Sequence, residues 1–320
     1  MSSAPSAERI LEAIERRGWA ARFVPGKRRF DLWGELEERF ERGEFNMTYF
    51  EERVRYFEKA AKELPVWVRS FLIVAIPDPK FRIRFGWRGR EVALLIPQGF
   101  VHFHDRAESL IEEAMRTDFS ERPVRTSGSL LPRKLLAART GLSRYGRNNL
   151  AYVDGMGSYH RLSCLATDIR CDDSSWQEAA ALDACESCGA CIRTCPAGAI
   201  DPDRFLIRVE RCITYWHERA PGVAYPNDAD YSWQEHFMGC TKCQDVCPQN
   251  RQEPAVEETG PPFTEEETTA LVRGVALDDL APETIEKLRQ HDILQYLGLL
   301  PRNLPTALEN ASTAADSHPR

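Results

Sequence analysis

Long apolar runs are missing from this chain. The longest, Phe71 to Pro77 and Val92 to Pro97, fall far short of the ~18 residues a membrane span needs. An excess of positive charge is missing too: 42 Lys and Arg stand against 49 Asp and Glu, for a net charge of −7. That balance argues against a protein whose main business is gripping phosphate backbones, although a local basic patch remains compatible with it. The small polar opening Met1 to Glu8 leads into no apolar segment, and neither Arg16-Arg17 nor Arg28-Arg29 precedes one. No secretory or twin-arginine signal is therefore expected, and the chain reads as soluble and cytoplasmic. Cysteine is scarce outside one segment. Of ten cysteines, eight crowd between Cys185 and Cys247, which in a reducing compartment points to metal and not to disulfides. The other two, Cys164 and Cys171, are expected to be buried free thiols.

What is present suits about two domains in 320 residues. Apolar spacing of three and four predicts helices over Ser6–Arg17, Leu32–Arg42 and Phe103–Arg116, and a shorter one over Leu135–Ala138. Runs rich in Val, Ile and Phe predict strands at Val66–Pro77, Phe81–Phe85 and Glu91–Pro97, with a short strand at Asn149–Val153. The fold class expected is α+β: an α/β cofactor domain over residues 1–175, then a ferredoxin-like module over 176–253. Residues 254–308 read as an acidic, Pro-rich linker with a short helical region, and 309–320 as a disordered tail.

The chemistry lies in the cysteines. Cys185-x2-Cys188-x2-Cys191-x3-Cys195-Pro196 is the bacterial ferredoxin run, in which three thiolates on a tight loop reach separate irons of one cube. Cys212 followed by Cys240-x2-Cys243-x3-Cys247-Pro248 repeats it, with the first gap stretched to twenty-seven residues rich in aromatics. In such paired runs the fourth cysteine serves the other cluster. One [4Fe–4S] cluster then takes Cys185, Cys188, Cys191 and Cys247, and the other takes Cys195, Cys212, Cys240 and Cys243. Zinc also accepts Cys-x2-Cys pairs, but a doubled -x3-Cys-Pro ending has no role in a zinc ribbon. Two clusters make a wire for single electrons, and the ~170 residues before them are expected to hold what the wire feeds.

The segment Leu131 to Asn149, containing Ala138-Arg139-Thr140-Gly141-Leu142-Ser143-Arg144-Tyr145-Gly146-Arg147-Asn148, leads to Gly157-Ser158-Tyr159. Together with the split cysteine pattern it resembles the epoxyqueuosine reductase family, within the cobalamin-dependent reductases that also include reductive dehalogenases. The likeness covers roughly residues 60 to 250. It implies a nitroreductase-like N-terminal domain, and a corrinoid held between that domain and the ferredoxin-like module. Gly141, Leu142, Tyr145, Gly146, Arg147 and Asn148 would line the corrin, with Gly157 and Ser158 close by. The family carries a proton-donating Asp about fourteen residues before the Gly-Leu pair. Here Arg125-Thr126-Ser127-Gly128-Ser129 fills that place, so Ser127 and His160 become the candidate donors. Only about fifty helical residues follow the clusters, where longer family members carry tRNA-binding helical repeats. The resemblance implies a reduced ferredoxin or flavodoxin-type electron donor and offers tRNA as a possible substrate. The alternative is a ferredoxin-like electron carrier that binds no corrinoid and serves a partner enzyme.

Two further features have plain readings. Lys80, Arg82, Arg84, Arg88 and Arg90 alternate with Phe81, Phe85 and Trp87, as on the solvated face of a hairpin. His102 and His104 precede Asp105 with no third metal ligand at a fitting spacing, and read as structural or substrate-side residues.

Overall fold

The computed structural model describes residues 5–101, 105–120, 124–228 and 230–317. Nine strands are present among them: Ala20–Pro25 (β1), Ser70–Pro77 (β2), Lys80–Trp87 (β3), Arg90–Ile96 (β4), Thr126–Gly128 (β5), Arg144–Tyr145 (β6), Ala151–Tyr152 (β7), His160–Thr167 (β8) and Val256–Glu258 (β9). They form a four-stranded antiparallel sheet in the order β1-β2-β8-β5, a three-stranded sheet β4-β3-β9, and the small ladder β6-β7.

β2 shows why the first sheet lies inside. Successive side chains on a strand point to opposite faces, and here both faces are apolar. Phe71, Ile73 and Ala75 pack with Leu32, Leu36, Phe50 and Leu136. Leu72, Val74 and Ile76 pack with Ile10, Ile14, Ile111 and Met115. The helices on the second face are Ala7–Glu15 (α1), capped by Ser6 as expected, and a later helix at Asp105–Asp118. The first face is covered by Arg29–Glu41 (α2), Met47–Tyr49 (α3), Tyr56–Lys62 (α4) and, beyond the Asp105–Asp118 helix (α5), Arg133–Arg139 (α6). The α+β class expected from the sequence is what the structure has. His102 and His104 lie outside the described residues.

Two boundaries differ from expectation. The hairpin β3–β4 does not belong to the core of residues 1–175. Phe81, Ile83, Phe85, Val92, Leu94 and Ile96 pack instead with Phe237 and Met238 of the long insertion and with Leu271, Leu288, Leu300 and Leu304 from the chain's last third. Residues 254–265 are accordingly no free linker. β9 pairs in parallel with β3, and Phe263 stacks on Phe85 at 5.2 Å. Gly86 makes this possible: its N–H donates to the Phe263 carbonyl at 2.7 Å, and a Cβ there would stand 2.7 Å from the Glu265 backbone nitrogen. The final helix, Leu300–Ser317, also runs through Glu309 into the stretch read as a disordered tail. Apolar periodicity could not reveal that a hairpin sits on the C-terminal helices, because it reports which face is buried and not against what.

The hairpin's basic strip is largely paired. Glu258 of β9 receives Arg82 and Arg84, and Glu91 receives Arg84. Among the described residues, no helix is long and apolar enough to cross a membrane.

Candidate functional site

The first cysteine run folds as two short helices, Cys185–Cys188 (α7) and Ala190–Thr194 (α8), hinged at Gly189. Gly189 has φ +62°, the left-handed region where a side chain is strained. The hinge folds the run back so that its thiols converge. The second run uses Ile213–His217 (α9) after Cys212, and Lys242–Asp245 (α10) between Cys240 and Cys247.

Several of the thiols lie within electrostatic reach of one another across the two runs. Cys191 feels the charges of Cys185 and Cys247. Cys243 feels those of Cys212, Cys240 and Cys195, and last that of Cys191. Cys240 is likewise surrounded by Cys212 and Cys195. Burial pushes the Cys240 thiol up to about 11 and Cys243 well above its ordinary value. Half-buried thiols of this kind ionise only when a cation replaces the proton, which is what binding iron does. Main-chain N–H groups are already aimed at the sulfurs: Ala199 donates to Cys195 Sγ at 3.4 Å, Thr214 and Tyr215 to Cys212, and Lys242 to Cys240. Among the described residues, no three His, Cys, Asp or Glu side chains converge tightly enough for one metal ion. Thiolates on a single zinc each stand ~2.3 Å from it, whereas a four-iron cluster spreads its ligands over separate irons. The thiols and the N–H groups aimed at them suit four-iron clusters, whose ligands sit on separate irons.

The residues expected to line a corrin sit on the seam between the cluster module and the first sheet. Gly141 (φ +67°) ends α6, its N–H returning to the Ala138 carbonyl at 3.1 Å, and Leu142 is buried in the core beneath the sheet. Tyr145 is buried edge-on to Phe205 at 5.1 Å. Gly146 leaves no room for a Cβ, which would meet Tyr152 Cε2 at 2.4 Å. Arg147 donates to the Cys185 carbonyl at 3.3 and 3.2 Å and to the Pro202 carbonyl at 2.8 Å. Asn148 donates to the Tyr152 hydroxyl at 3.0 Å and to the Cys243 carbonyl at 3.2 Å. Gly157 (φ +60°) and Ser158 receive Asn250, whose Oδ1 accepts from the Ser158 N–H at 2.7 Å. The polar groups of Arg147, Asn148 and Ser158 thus bind protein, fastening both cluster loops.

The two candidate proton donors are apart. Ser127 lies exposed on the edge strand β5, its hydroxyl toward the neighbouring Gly128 carbonyl at 3.4 Å. His160 opens β8 with Nδ1 3.1 Å from the Gly157 carbonyl, and burial pushes it down to about 4, so it is neutral near pH 7.

One group went unnoticed in the sequence. Packing around Lys134, on the first turn of α6, pushes its amine down to about 8. The amine donates to the Asn149 carbonyl at 2.9 Å and to Asn149 Oδ1 at 3.2 Å, and it feels Cys212. Tyr49 also feels Cys212, and burial together with the Glu218 carboxylate holds its phenol above the usual range. Glu218 itself is raised by burial. A signal existed in the sequence: a cation opposing the positive end of a helix is locally unfavourable. Of the eight cluster cysteines, Cys212 is the one within electrostatic reach of Lys134 and Tyr49.

Comparison with known proteins agrees with the cysteine geometry. Residues 184–250 match the family described as 4Fe-4S double cluster binding domain. The segment is a double iron–sulfur cluster domain. Over a longer span the chain is similar to epoxyqueuosine reductases. It is 30% identical to that of Shewanella oneidensis over 200 residues, 61% of this chain and 48% of the relative. It is also 30% identical to that of Escherichia coli K12 over 192 residues, 59% and 48% of the two chains. This chain thus spans about half the length of the curated relatives it matches. In fold it resembles the epoxyqueuosine reductase of Bacillus subtilis, with a TM-score of 0.66 at 21% identity over 96% of this chain and 82% of that one. The enzyme of Streptococcus thermophilus gives 0.63 at 16% identity over 95% and 80%.

Proposed function

We propose that this protein is an iron–sulfur reductase that carries electrons from an external donor to a cleft in a nitroreductase-like N-terminal domain, where an epoxide is reduced. The observation that carries the reading is the grouping of the thiols across the two runs, Cys191 with Cys185 and Cys247, and Cys243 with Cys212, Cys240 and Cys195. When bound, the clusters would supply one-electron transfer, and a corrinoid in the cleft would supply a strong two-electron reductant. The chain's own part is to hold the sulfurs with main-chain N–H groups and to lock the loops through Arg147, Asn148 and Asn250. Two polar groups within the Gly141–Asn149 stretch, the Asn149 amide nitrogen and the Ser143 hydroxyl, are buried without a partner, as groups that meet a ligand would be. The corrinoid and its assignment to Gly141–Asn148 rest on the resemblance alone.

The relatives named above suggest epoxyqueuosine in tRNA as the substrate, and one solved relative is described in complex with an epoxyqueuosine-modified tRNA stem loop. The half-buried first cluster group suits a reduced ferredoxin or flavodoxin-type donor. The test is anaerobic: reconstitute the clusters, add Co(II) cobalamin, and record the EPR spectrum, then supply an epoxyqueuosine-bearing stem loop and reductant. A base-off Co(II) signal and loss of the epoxide are expected. Cluster signals beside free base-on cobalamin, with the epoxide intact, would make the protein an electron carrier for a partner enzyme.

A further inference from the structure

We infer that Asn303, with Arg302 beside it, is a positioning residue for the cysteine set Cys195, Cys212, Cys240 and Cys243, and that the final helix, Leu300–Ser317, is part of that set's site, whatever the electrons go on to reduce. Twenty-seven residues separate Cys212 from Cys240, where two separate Cys185 from Cys188. Two intervening residues hold a pair of sulfurs together through bonds alone. Twenty-seven do not, because closing a longer loop costs more chain entropy. Yet Cys243 feels Cys212, Cys240 and Cys195 together. Contacts from elsewhere in the chain must bring the two ends of the insertion to one place.

Asn303 makes those contacts from the first turn of the final helix. Its Nδ2 donates to the His217 carbonyl at 3.0 Å and reaches Met238 Sδ at 3.6 Å. His217 closes α9, the helix that follows Cys212, and Met238 stands two residues before Cys240. One amide nitrogen therefore spans both ends of the insertion. Asn303, His217 and Met238 are fully buried, so water does not compete for these bonds. The rest of Asn303 is fixed as well. Its Oδ1 accepts from Arg302 Nε at 2.8 Å and lies 3.1 Å from the Tyr225 hydroxyl. Its main-chain carbonyl accepts from Gln234 Nε2 at 3.0 Å, and Gln234 Oε1 lies 2.9 Å from His217 Nε2.

Arg302 and Asn310 extend the clasp. Arg302 donates to the Val223 carbonyl at 2.7 Å, to that of His217 at 3.1 Å and to that of Arg219 at 3.3 Å. Asn310 Nδ2 donates to the Ser232 and Gln234 carbonyls at 2.6 and 2.7 Å. Among the described residues of the insertion there is one short helix, α9, and no strand. Its carbonyls therefore depend on side chains for partners, and the final helix supplies them. A helix that served only to cover an apolar core would need Leu304, Ala307 and Leu308. It would not need an amide and a guanidinium aimed at the carbonyl of the residue that closes α9.

The experiment takes the full chain, reconstituted anaerobically, beside Asn303→Leu, Arg302→Met and Leu288→Ala. Asn303→Leu keeps the size of the side chain and removes the amide. Arg302→Met keeps an aliphatic stem at a half-buried position. Leu288→Ala empties part of the same apolar core and removes no hydrogen bond to the insertion. Iron per chain, EPR, iron release to a chelator and thermal unfolding are read on each, and none of these depends on turnover. Asn303→Leu is expected to fall from about eight irons toward about four, with the remaining EPR signal matching that of Cys212→Ser. Arg302→Met is expected to release iron ~10-fold faster from that same cluster. Leu288→Ala is expected to melt earlier and keep about eight irons. About eight irons in Asn303→Leu, equal loss of both clusters, or the same selective loss in Leu288→Ala overturns the assignment. Should Asn303→Leu fail to fold, unaltered iron release from Arg302→Met overturns it.

Discussion

Ser158 and Asn250, ninety-two residues apart, bind each other through three hydrogen bonds. Asn250 Oδ1 accepts from the Ser158 N–H at 2.7 Å and lies 3.2 Å from its hydroxyl, while Asn250 Nδ2 donates to that hydroxyl at 2.9 Å. The same Nδ2 reaches the Gln244 carbonyl at 2.8 Å. One side chain thus closes the loop bearing Cys243 and Cys247 onto β8.

Removing that clasp leaves buried donors unpaired. Asn250→Ala is expected to cost ~1–3 kcal/mol, as for other buried unsatisfied polar groups. Anaerobic thermal unfolding measures the loss. Iron release to a chelator is expected to quicken with it, since Cys247 follows the loosened loop.

The crossed thiol grouping makes a pairwise prediction. Cys195→Ser damages the cluster shared with Cys212, Cys240 and Cys243, although Cys195 belongs to the first run; Cys247→Ser damages the one shared with Cys185, Cys188 and Cys191. Each variant falls from about eight irons per chain toward about four. EPR of Cys195→Ser should resemble that of Cys212→Ser and differ from that of Cys188→Ser. Resemblance of Cys195→Ser to Cys188→Ser would refute the crossing.

Phe237 anchors the insertion. It is fully buried, edge-on to Phe85 at 5.8 Å, within the core formed by the hairpin and the C-terminal helices. Phe237→Ala is expected to cost ~3–5 kcal/mol in denaturant unfolding. Truncation after Glu258 should do worse, because it strips Leu271, Leu288, Leu300 and Leu304 from that core.

Acid should destabilise the protein before its carboxylates titrate. Burial pushes His160, His217 and His236 down to about 4. Once unfolded, each binds a proton near ~6.5. Between those values the unfolded chain holds more protons than the folded one, so stability falls as pH drops from about 6.5 toward 4. Anaerobic melting curves across that window should show the slope, and His217→Gln should reduce it.

Much of the cofactor chemistry was legible because it is local. A ferredoxin run places its sulfurs through bonds a few residues long, so Cys185, Cys188 and Cys191 carry their geometry in their spacing, as Ser6 carries the start of α1. β3 was legible because its two-residue period lies in the chain, and β2 because a run of Val, Ile and Phe marks a strand buried on both faces. The roles of Arg147 and Asn148 were not, because a side chain's hydrogen-bond partner lies elsewhere in the chain. Their carbonyl partners belong to Cys185, Pro202 and Cys243.

The sequence by itself determined the spacing of the eight clustered cysteines, the α+β class and the order of the elements, because each depends on spacing and periodicity along the chain. Tertiary structure alone decided that the β3–β4 hairpin pairs with β9 and rests on the last helices, since apolar faces do not name their partners. It alone decided that the Lys134 amine meets the Asn149 carbonyl and side chain. Desolvation is a property of everything packed around an atom, and Lys134 draws that surrounding from residues both before and after it in the chain.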